Sequence, residues 1–202
     1  MGKREENRKK TEEQIYESAL DLFCEEGYES ARLADIAYSA NVSTRTLYNY
    51  FPTKESILRK FGEDTIESTA EFAREIPVRR DPMEKILDIC VYDYMEMFGL
   101  FDMSMIIYGT GDGGRNYVSK SFRMSEETIY EALLESFGMD KEGSYPATRD
   151  AATVVFAIYR HVTDKLRVEN PKCFDATVIR GCYRRYLNVV WDSVLRNVEG
   201  EA

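Results

Sequence analysis

Apolar residues recur at three- and four-residue intervals along the chain, and this helical spacing is the strongest constraint on the fold. From residue 60 onward no segment alternates polar and apolar residues with the two-residue period of a strand. We therefore predict an all-α protein. Prolines and glycines divide its larger, C-terminal part into helices over residues 54–75, 82–101, 115–138, 146–168 and 172–198. Residues 103–108 fit either a short helix or an irregular connection.

Two helical patterns open the chain, and the second of them is short. Thr11 is the predicted start of the first helix, because Gln14 three residues later completes a capping-box pattern, and Gly27 ends it. Ser30 is the predicted cap of the second helix. That helix ends at Asn41, a residue type that tolerates left-handed backbone geometry.

A third short helix follows directly. Ser43 is a good N-cap residue for it, Pro52 ends it, and Thr53 caps the next helix. Leu47 and Phe51 fall on the side that faces the core. Its outward positions carry polar or basic side chains: Thr44, Arg45, Tyr48 and Asn49.

The charge is unevenly distributed. The net charge is -9, but the acidity belongs mainly to residues 61–202, whereas residues 1–10 and 43–54 are both basic and the latter contain no acid. No apolar run approaches the length of a membrane span, so we expect no membrane association and a cytoplasmic location. With a single histidine and no CxxC spacing, the chain predicts no metal site and no cofactor. We interpret the cysteines as reduced core thiols: Cys24, Cys90, Cys173 and Cys182.

Two short helices joined by a tight turn, the second of which exposes polar and basic residues, are what docking into the major groove of DNA requires. The residues themselves make the pattern specific. The stretch from Ile15 to Leu58, with ALDLFCEEGYES, LADIAYSANVSTRTLYNYF and PTKESIL, resembles the DNA-binding domain of the TetR/AcrR family of transcription regulators. The resemblance implies a three-helix helix-turn-helix domain over residues 1–54 and a larger helical effector-binding and dimerisation domain over residues 55–202.

The resemblance also implies a function. We expect a homodimer that binds a palindromic double-stranded DNA operator as a repressor and is released by an unknown small-molecule effector. The helices at 146–168 and 172–198 are the expected dimer interface; the alternative is that they only close the core of the monomer. By resemblance, Tyr48 and Lys54 contact phosphates, and Asn49 and Tyr50 support the base-reading positions. Arg32 departs from the family pattern, which usually has a threonine there, and we expect it to approach a phosphate instead. Ser43 caps this helix, and the side chains at the base edges are Thr44, Arg45 and Thr46.

An effector pocket is predicted where aromatic and methionine side chains concentrate, between residues 92 and 108. A stripe of this kind also fits an ordinary core. His161 is the one conspicuous polar candidate, although a structural histidine in the core or at the surface is the commoner explanation for it. The candidate ligand contacts are Tyr94, Met95, Phe98, Met105, Tyr108 and His161.

Three other functions are consistent with parts of the sequence. The glycine-rich segment GTGDGGR at 109–115 lacks the GK[ST] ending of a phosphate loop, so we interpret it as a flexible connection and expect no enzyme. A redox-sensing regulator would use one of the cysteines. A protein-interaction module would retain the helix-turn-helix only as a scaffold, without DNA binding.

Overall fold

The computed structural model describes residues 2–78, 80–98, 111–170 and 175–202, without the side chains at 97–98 and 111–122. Every regular element in these ranges is an α-helix, which confirms the predicted fold class. Three N-terminal helices, of which the second and third have only 7 residues each, precede five helices of at least 17 residues. Their bounds are α1 Lys3–Glu26, α2 Leu33–Ser39, α3 Thr44–Tyr50, α4 Lys54–Glu75, α5 Pro82–Phe98, α6 Gly111–Ser136, α7 Pro146–Glu169 and α8 Ala176–Glu199.

Helix α1 begins eight residues before the predicted start. Thr11 is an interior residue, and its hydroxyl donates to the Asn7 carbonyl at 2.9 Å instead of capping the helix. The prediction was wrong because the preceding lysines, arginines and glutamates are good helix formers. Glu5 and Glu6 also favour the helix, since carboxylates near an N-terminus interact well with its dipole.

The predicted cap of α2 is also wrong. Ser30 lies in the turn after α1, and Arg32 occupies the N-cap position with no side-chain hydrogen bond to the helix. The helix is anchored by burial of Ile36 and Ala37. Packing against α1 therefore fixes where this seven-residue helix begins, rather than a capping hydroxyl.

The longer helices agree with the prediction at most of their ends. α4 has the predicted bounds, and α7 ends one residue later than predicted. α6 begins at Gly111, so its first turn lies in the segment interpreted as a flexible connection. α8 begins at Ala176 because the Asp175 carboxylate accepts from the backbone amides of Thr177 and Val178, at 2.8 Å and 3.3 Å.

The buried side chains form two separate clusters. The first holds α1, α2, α3 and the beginning of α4 together around Ile15, Phe23, Ile36 and Leu47. The second is the core of a bundle in which α4 packs on α5 and α6, α7 packs on α6 and α8, and α5 packs on α8.

Helix α4 belongs to both clusters. Ile57, Leu58 and Phe61 complete the N-terminal cluster, whereas Ala73 belongs to the second cluster. The packing therefore passes from one cluster to the other within α4, some residues beyond the predicted boundary between residues 54 and 55.

Charged groups tie the bundle together at several points. Lys85 is fully buried, and its ammonium donates to Glu135 at 2.9 Å. Arg180 of α8 bonds both Asp88 and Glu84 of α5 at 2.6 Å. The Glu201 carboxylate accepts from the backbone amides of Ala147 and Thr148 at the start of α7.

The cysteines are not all core residues. Cys90 is buried and Cys182 is half-buried, but Cys24 is exposed on α1, and Cys173 lies outside the described residues. The interpretation of Cys24 as a core thiol was wrong because it lies on the outward side of α1, next to the buried Phe23. Within the described ranges, no group of histidine, cysteine and acidic side chains could hold a metal ion, and no helix is long and apolar enough to cross a membrane.

Candidate DNA interface and effector cavity

Helices α2 and α3 are joined by a turn of defined geometry. Asn41 has a φ of 50°, the left-handed conformation predicted for it. The Val42 amide donates to the Ala37 carbonyl at 2.9 Å and the Asn41 amide to the Tyr38 carbonyl at 3.0 Å. This pair of bonds is a Schellman motif, which satisfies the carbonyls at the end of α2 and fixes the direction in which the chain enters α3.

Ser43 caps α3 as predicted. Its Oγ accepts from the Thr46 amide at 3.0 Å and lies 2.7 Å from the Thr46 hydroxyl. Leu47 is fully buried and Phe51 nearly so, which fixes the rotation of α3 about its axis. The opposite side of the helix is therefore held towards solvent.

The outward side of α3 carries the residues predicted to contact DNA. Thr44, Arg45 and Asn49 are exposed, and the Tyr48 side chain is 50% exposed. No acid lies between residues 43 and 54. Arg45 thus stands at the start of an exposed helix face that offers hydrogen-bond donors and one positive charge.

The other two predicted positions on α3 are less accessible. Thr46 is half-buried, and its hydroxyl is engaged with Ser43. Tyr50 is also half-buried and packs against the N-terminal cluster, as a supporting residue would. Arg32 is exposed at the start of α2.

Lys54 lies at the first position of α4, and its ammonium is already engaged. It donates to the carbonyls of Tyr28 and Glu29 at 2.7 Å and 3.3 Å, and it lies 4.5 Å from the centre of the Tyr28 ring. The lysine therefore fastens the start of α4 to the turn that follows α1. An ammonium group has a third hydrogen available for a phosphate.

Tyr38 is a candidate contact that the sequence interpretation missed. It lies on α2 and is 90% exposed, the largest exposure among the large apolar side chains described. In a helix-turn-helix the first helix crosses the DNA backbone, where a tyrosine hydroxyl can reach a phosphate. The signal in the sequence is an aromatic residue outside the buried positions Ile36, Ala37 and Ala40.

A small cavity lies inside the second cluster, between α4, α5, α6 and α7. Its polar lining is Thr69, Asp93, Ser125, Thr128 and Tyr159, and the remainder is apolar apart from Cys90. The volume available to the centres of water molecules is about 20 Å³. This is room for one or a few water-sized groups between the four helices.

Asp93 is the unusual member of this lining, since the residue is 95% buried. Its carboxylate accepts from the Thr69 hydroxyl at 2.9 Å and from the Tyr159 hydroxyl. Burial raises the pKa of Asp93 above its ordinary value, although both hydrogen bonds oppose this effect.

The predicted effector contacts are not gathered at this cavity. Tyr94 is buried in the second cluster, and Met95 packs against that cluster. His161 is exposed, and its ring meets the Tyr186 ring edge-on at 5.4 Å between centres. The Phe98 side chain, Met105 and Tyr108 lie outside the described residues.

The architecture defines a helix-turn-helix protein with a larger helical second domain, and comparison with known proteins narrows this class. Residues 15–61 match the family model described as bacterial regulatory proteins, tetR family. The biofilm operon negative transcriptional regulator IcaR of Staphylococcus epidermidis is 35% identical over 60 residues, 30% of this chain and 32% of its own. The repressor DhaR of Mycobacterium sp. strain GP1 is 37% identical over 73 residues, 33% of this chain and 37% of its own. The matched part of the chain thus covers about a third of the length of each of these curated relatives.

Solved structures extend the similarity of fold to the second domain. Thermus thermophilus FadR, a TetR-family transcriptional repressor solved in complex with lauroyl-CoA, superposes with a TM-score of 0.65. The match covers 89% of this chain and 93% of FadR at 19% identity. The chain therefore has the fold of TetR-family regulators, and its residues 15–61 carry the family's N-terminal sequence.

Proposed function

We propose that this protein is a DNA-binding transcription regulator, and specifically a repressor that a small-molecule effector releases from a palindromic operator. The observation that carries the proposal is the outward face of α3. Its exposed Thr44, Arg45, Tyr48 and Asn49 are held by a capped helix start and a buried Leu47. A rigid helix that presents such side chains in an acid-free segment matches the demands of base and phosphate contact in the major groove.

Selection of bound duplexes from a random DNA pool tests this function. We expect a palindromic consensus whose half-sites lie about one helical turn apart, because a two-fold dimer presents two α3 helices. A pool that shows no enrichment would contradict DNA recognition. The outcome also distinguishes a regulator from an interaction module that uses the same helices as a scaffold.

Two substitutions assign roles on the selected DNA. Arg45→Ala should relax the sequence preference at one base pair, at a cost of about 1–3 kcal/mol. Tyr38→Phe should weaken binding to all sequences to a similar degree, because a phosphate contact carries no base information. Arg74→Ala removes the same charge as Arg45→Ala from the exposed C-terminal end of α4 and serves as the control.

The proposal includes a homodimer built on α7 and α8. Four valines on these two helices are exposed: Val154, Val168, Val178 and Val189, of which Val168 and Val189 are each 82% exposed. Exposed apolar side chains concentrated on two adjacent helices are typical of a protein interface.

A charge placed on that face should prevent dimerisation. We expect Val189→Glu to convert the dimer to a monomer in size-exclusion chromatography with light scattering, since an unpaired carboxylate is costly at an apolar interface. Val78→Glu introduces the same charge at another exposed valine, outside α7 and α8, and should leave the dimer intact. A wild-type monomer at micromolar concentration would refute this part of the proposal.

A redox-sensing regulator is the weaker alternative. Cys24 is the exposed thiol of the described residues, but partial burial and its neighbours Asp21 and Glu25 raise its pKa. Fewer thiolates, the reactive form, then exist at neutral pH. Cys24→Ser is accordingly expected to leave the response of DNA binding to peroxide unchanged.

A further inference from the structure

The first turns of α1 form a basic segment that lies outside the N-terminal cluster. Five of the eight residues from 3 to 10 are lysine or arginine, and two are glutamate. Every residue of this segment is exposed, and Ile15 is the first residue of α1 that is buried. The segment therefore extends as a helix beyond the cluster and adds nothing to its core.

Arg4 and Arg8 stand on a definite side of this segment. They precede Ile15 by about three and about two whole turns of an α-helix, which has 3.6 residues per turn. Both arginines are therefore in line with Ile15, about 16 Å and 10 Å beyond it along the helix axis. Ile15 faces the N-terminal cluster, to which α2 and α3 also belong. The two arginines thus overhang the cluster on the side of α1 where the reading helix packs.

The charges of these arginines are not neutralised within the part of the chain that the structure describes. No hydrogen bond or ion pair joins either guanidinium group to another described side chain. Glu12, one turn after Arg8, lines a groove between α1 and α4 together with Lys60. Like charges one helical turn apart repel each other, so this pair of arginines suits an anionic partner.

The charge of the N-terminal domain favours DNA as that partner. Residues 11–42 carry eight acids and a single cation, Arg32. At the proposed interface Arg32, Arg45 and Lys54 supply the positive charge, and Lys54 already donates to two backbone carbonyls. Affinity for DNA rises with the number of phosphates that a protein neutralises. An acidic domain with few cations near α3 therefore gains much from two further arginines on the same side.

We propose that Arg4 and Arg8 form a second contact with DNA, in which they bind backbone phosphates next to the base pairs that α3 reads. This inference rests on the proposed DNA-binding function and adds a phosphate-binding surface to it. Arginine suits the task because its planar guanidinium group can donate to two phosphate oxygens at once. The contact is independent of base sequence, since phosphates are the same at every position.

The double variant Arg4→Gln/Arg8→Gln tests the proposal. Glutamine is close to arginine in helix propensity and both positions are exposed, so we expect unchanged stability in thermal unfolding. Arg74→Gln/Arg123→Gln is the matched control, because it removes two exposed arginines from the helices of the second domain. Fluorescence anisotropy at several salt concentrations measures the binding of each protein to a duplex that carries the selected operator between long flanks.

The two double variants should differ in affinity and in salt dependence. We expect Arg4→Gln/Arg8→Gln to bind about tenfold or more weakly than the control at about 0.1 M salt. The slope of log affinity against log salt concentration should be smaller by about 2 for a dimer that loses one phosphate contact per protomer. A duplex without the operator should lose affinity by a similar factor. Equal affinities and slopes for the two variants would overturn the proposal, and so would a loss confined to the operator, which would indicate base reading.

The wild-type protein separates failure of this inference from failure of the regulatory function. A wild type that prefers the operator, with two double variants that bind alike, would leave the regulator in place and refute the phosphate contact. A wild type without preference would refute operator recognition, and the salt dependence on the duplex without operator would still decide the role of Arg4 and Arg8. Absence of any DNA binding would refute both.

Discussion

Substitutions at Ser43, the N-cap of α3, should affect stability and DNA binding in opposite order. Ser43→Ala removes the acceptor of the Thr46 amide, a hydrogen bond of 3.0 Å. Loss of an N-cap of this kind costs about 1 kcal/mol, and the exposure of the site keeps the cost near this value because water can replace the hydroxyl. Ser43→Asp retains an acceptor and adds a carboxylate at a helix N-terminus, so we expect it to preserve stability.

The size of the thermal shift also reports on how the two clusters unfold. If the chain unfolds as one unit, loss of 1 kcal/mol should lower the midpoint by about 2–4 °C. If the N-terminal cluster unfolds separately, the shift should be about 4–8 °C and confined to the first transition. Differential scanning calorimetry of the full chain measures both quantities for the wild type and the two variants.

DNA binding should reverse the ranking of the two variants. Ser43→Ala retains the exposed face of α3 and should bind the selected operator with a modest loss of affinity. Ser43→Asp places a negative charge in a segment that has no acid, next to the phosphates, and should lose much more affinity at low salt. The reasoning fails if Ser43→Ala has wild-type stability, or if Ser43→Asp binds DNA as tightly as the wild type does.

Other substitutions test the core and the buried charges. Leu47→Ala should destabilise the protein by about 2–5 kcal/mol in urea unfolding because it empties a fully buried site, whereas Asn49→Ala on the exposed face of α3 should change stability by about 0.5 kcal/mol or less. Glu135→Ala should cost about 3 kcal/mol by leaving Lys85 buried without its partner, and Lys85→Met should be much better tolerated; equal losses would contradict this account. The raised pKa of Asp93 means that its folded state favours the protonated acid, so its contribution to stability is fully present below the ordinary carboxyl pKa and is lost as the pH rises through the raised value. Asp93→Asn should therefore gain stability relative to the wild type as the pH rises through that window, and a difference that does not change with pH would contradict the shift.

Much of the fold follows from the sequence because local signals and burial agree. The cap at Ser43, the left-handed residue at Asn41 and the first residue of α4 at Lys54 are determined by side chains within three or four positions of each end. The helix starts that the sequence placed wrongly, at Thr11 and Ser30, both carried a plausible cap. Helix propensity places the start of α1 at Lys3, and packing places the start of α2 at Leu33. A capping pattern is too weak to override either effect.

The candidate sites were less accessible to prediction for a different reason. The exposed positions of α3 repeat with the helical period, so the sequence identifies Arg45 and Tyr48 directly. The surroundings of Asp93 come from four helices, and Thr69 and Tyr159 are 24 and 66 residues away from it along the chain. An acid among apolar residues of α5 is a visible signal, but neither its partners nor the cavity can be derived without the packing of the bundle.

Both clusters pack against the same continuous 22-residue helix, α4. A movement of this helix in one cluster is therefore transmitted to the other. The length of α4 is about 33 Å at 1.5 Å per residue. A tilt of about 5° about its C-terminal end would therefore carry the Lys54 end through about 3 Å, close to the 3.4 Å that separates neighbouring base pairs along one strand. Lys54 is bonded to the Tyr28 and Glu29 carbonyls, so the turn after α1 would travel with that end. In the proposed complex with DNA, a shift of this size would move α3 out of register with the base pairs.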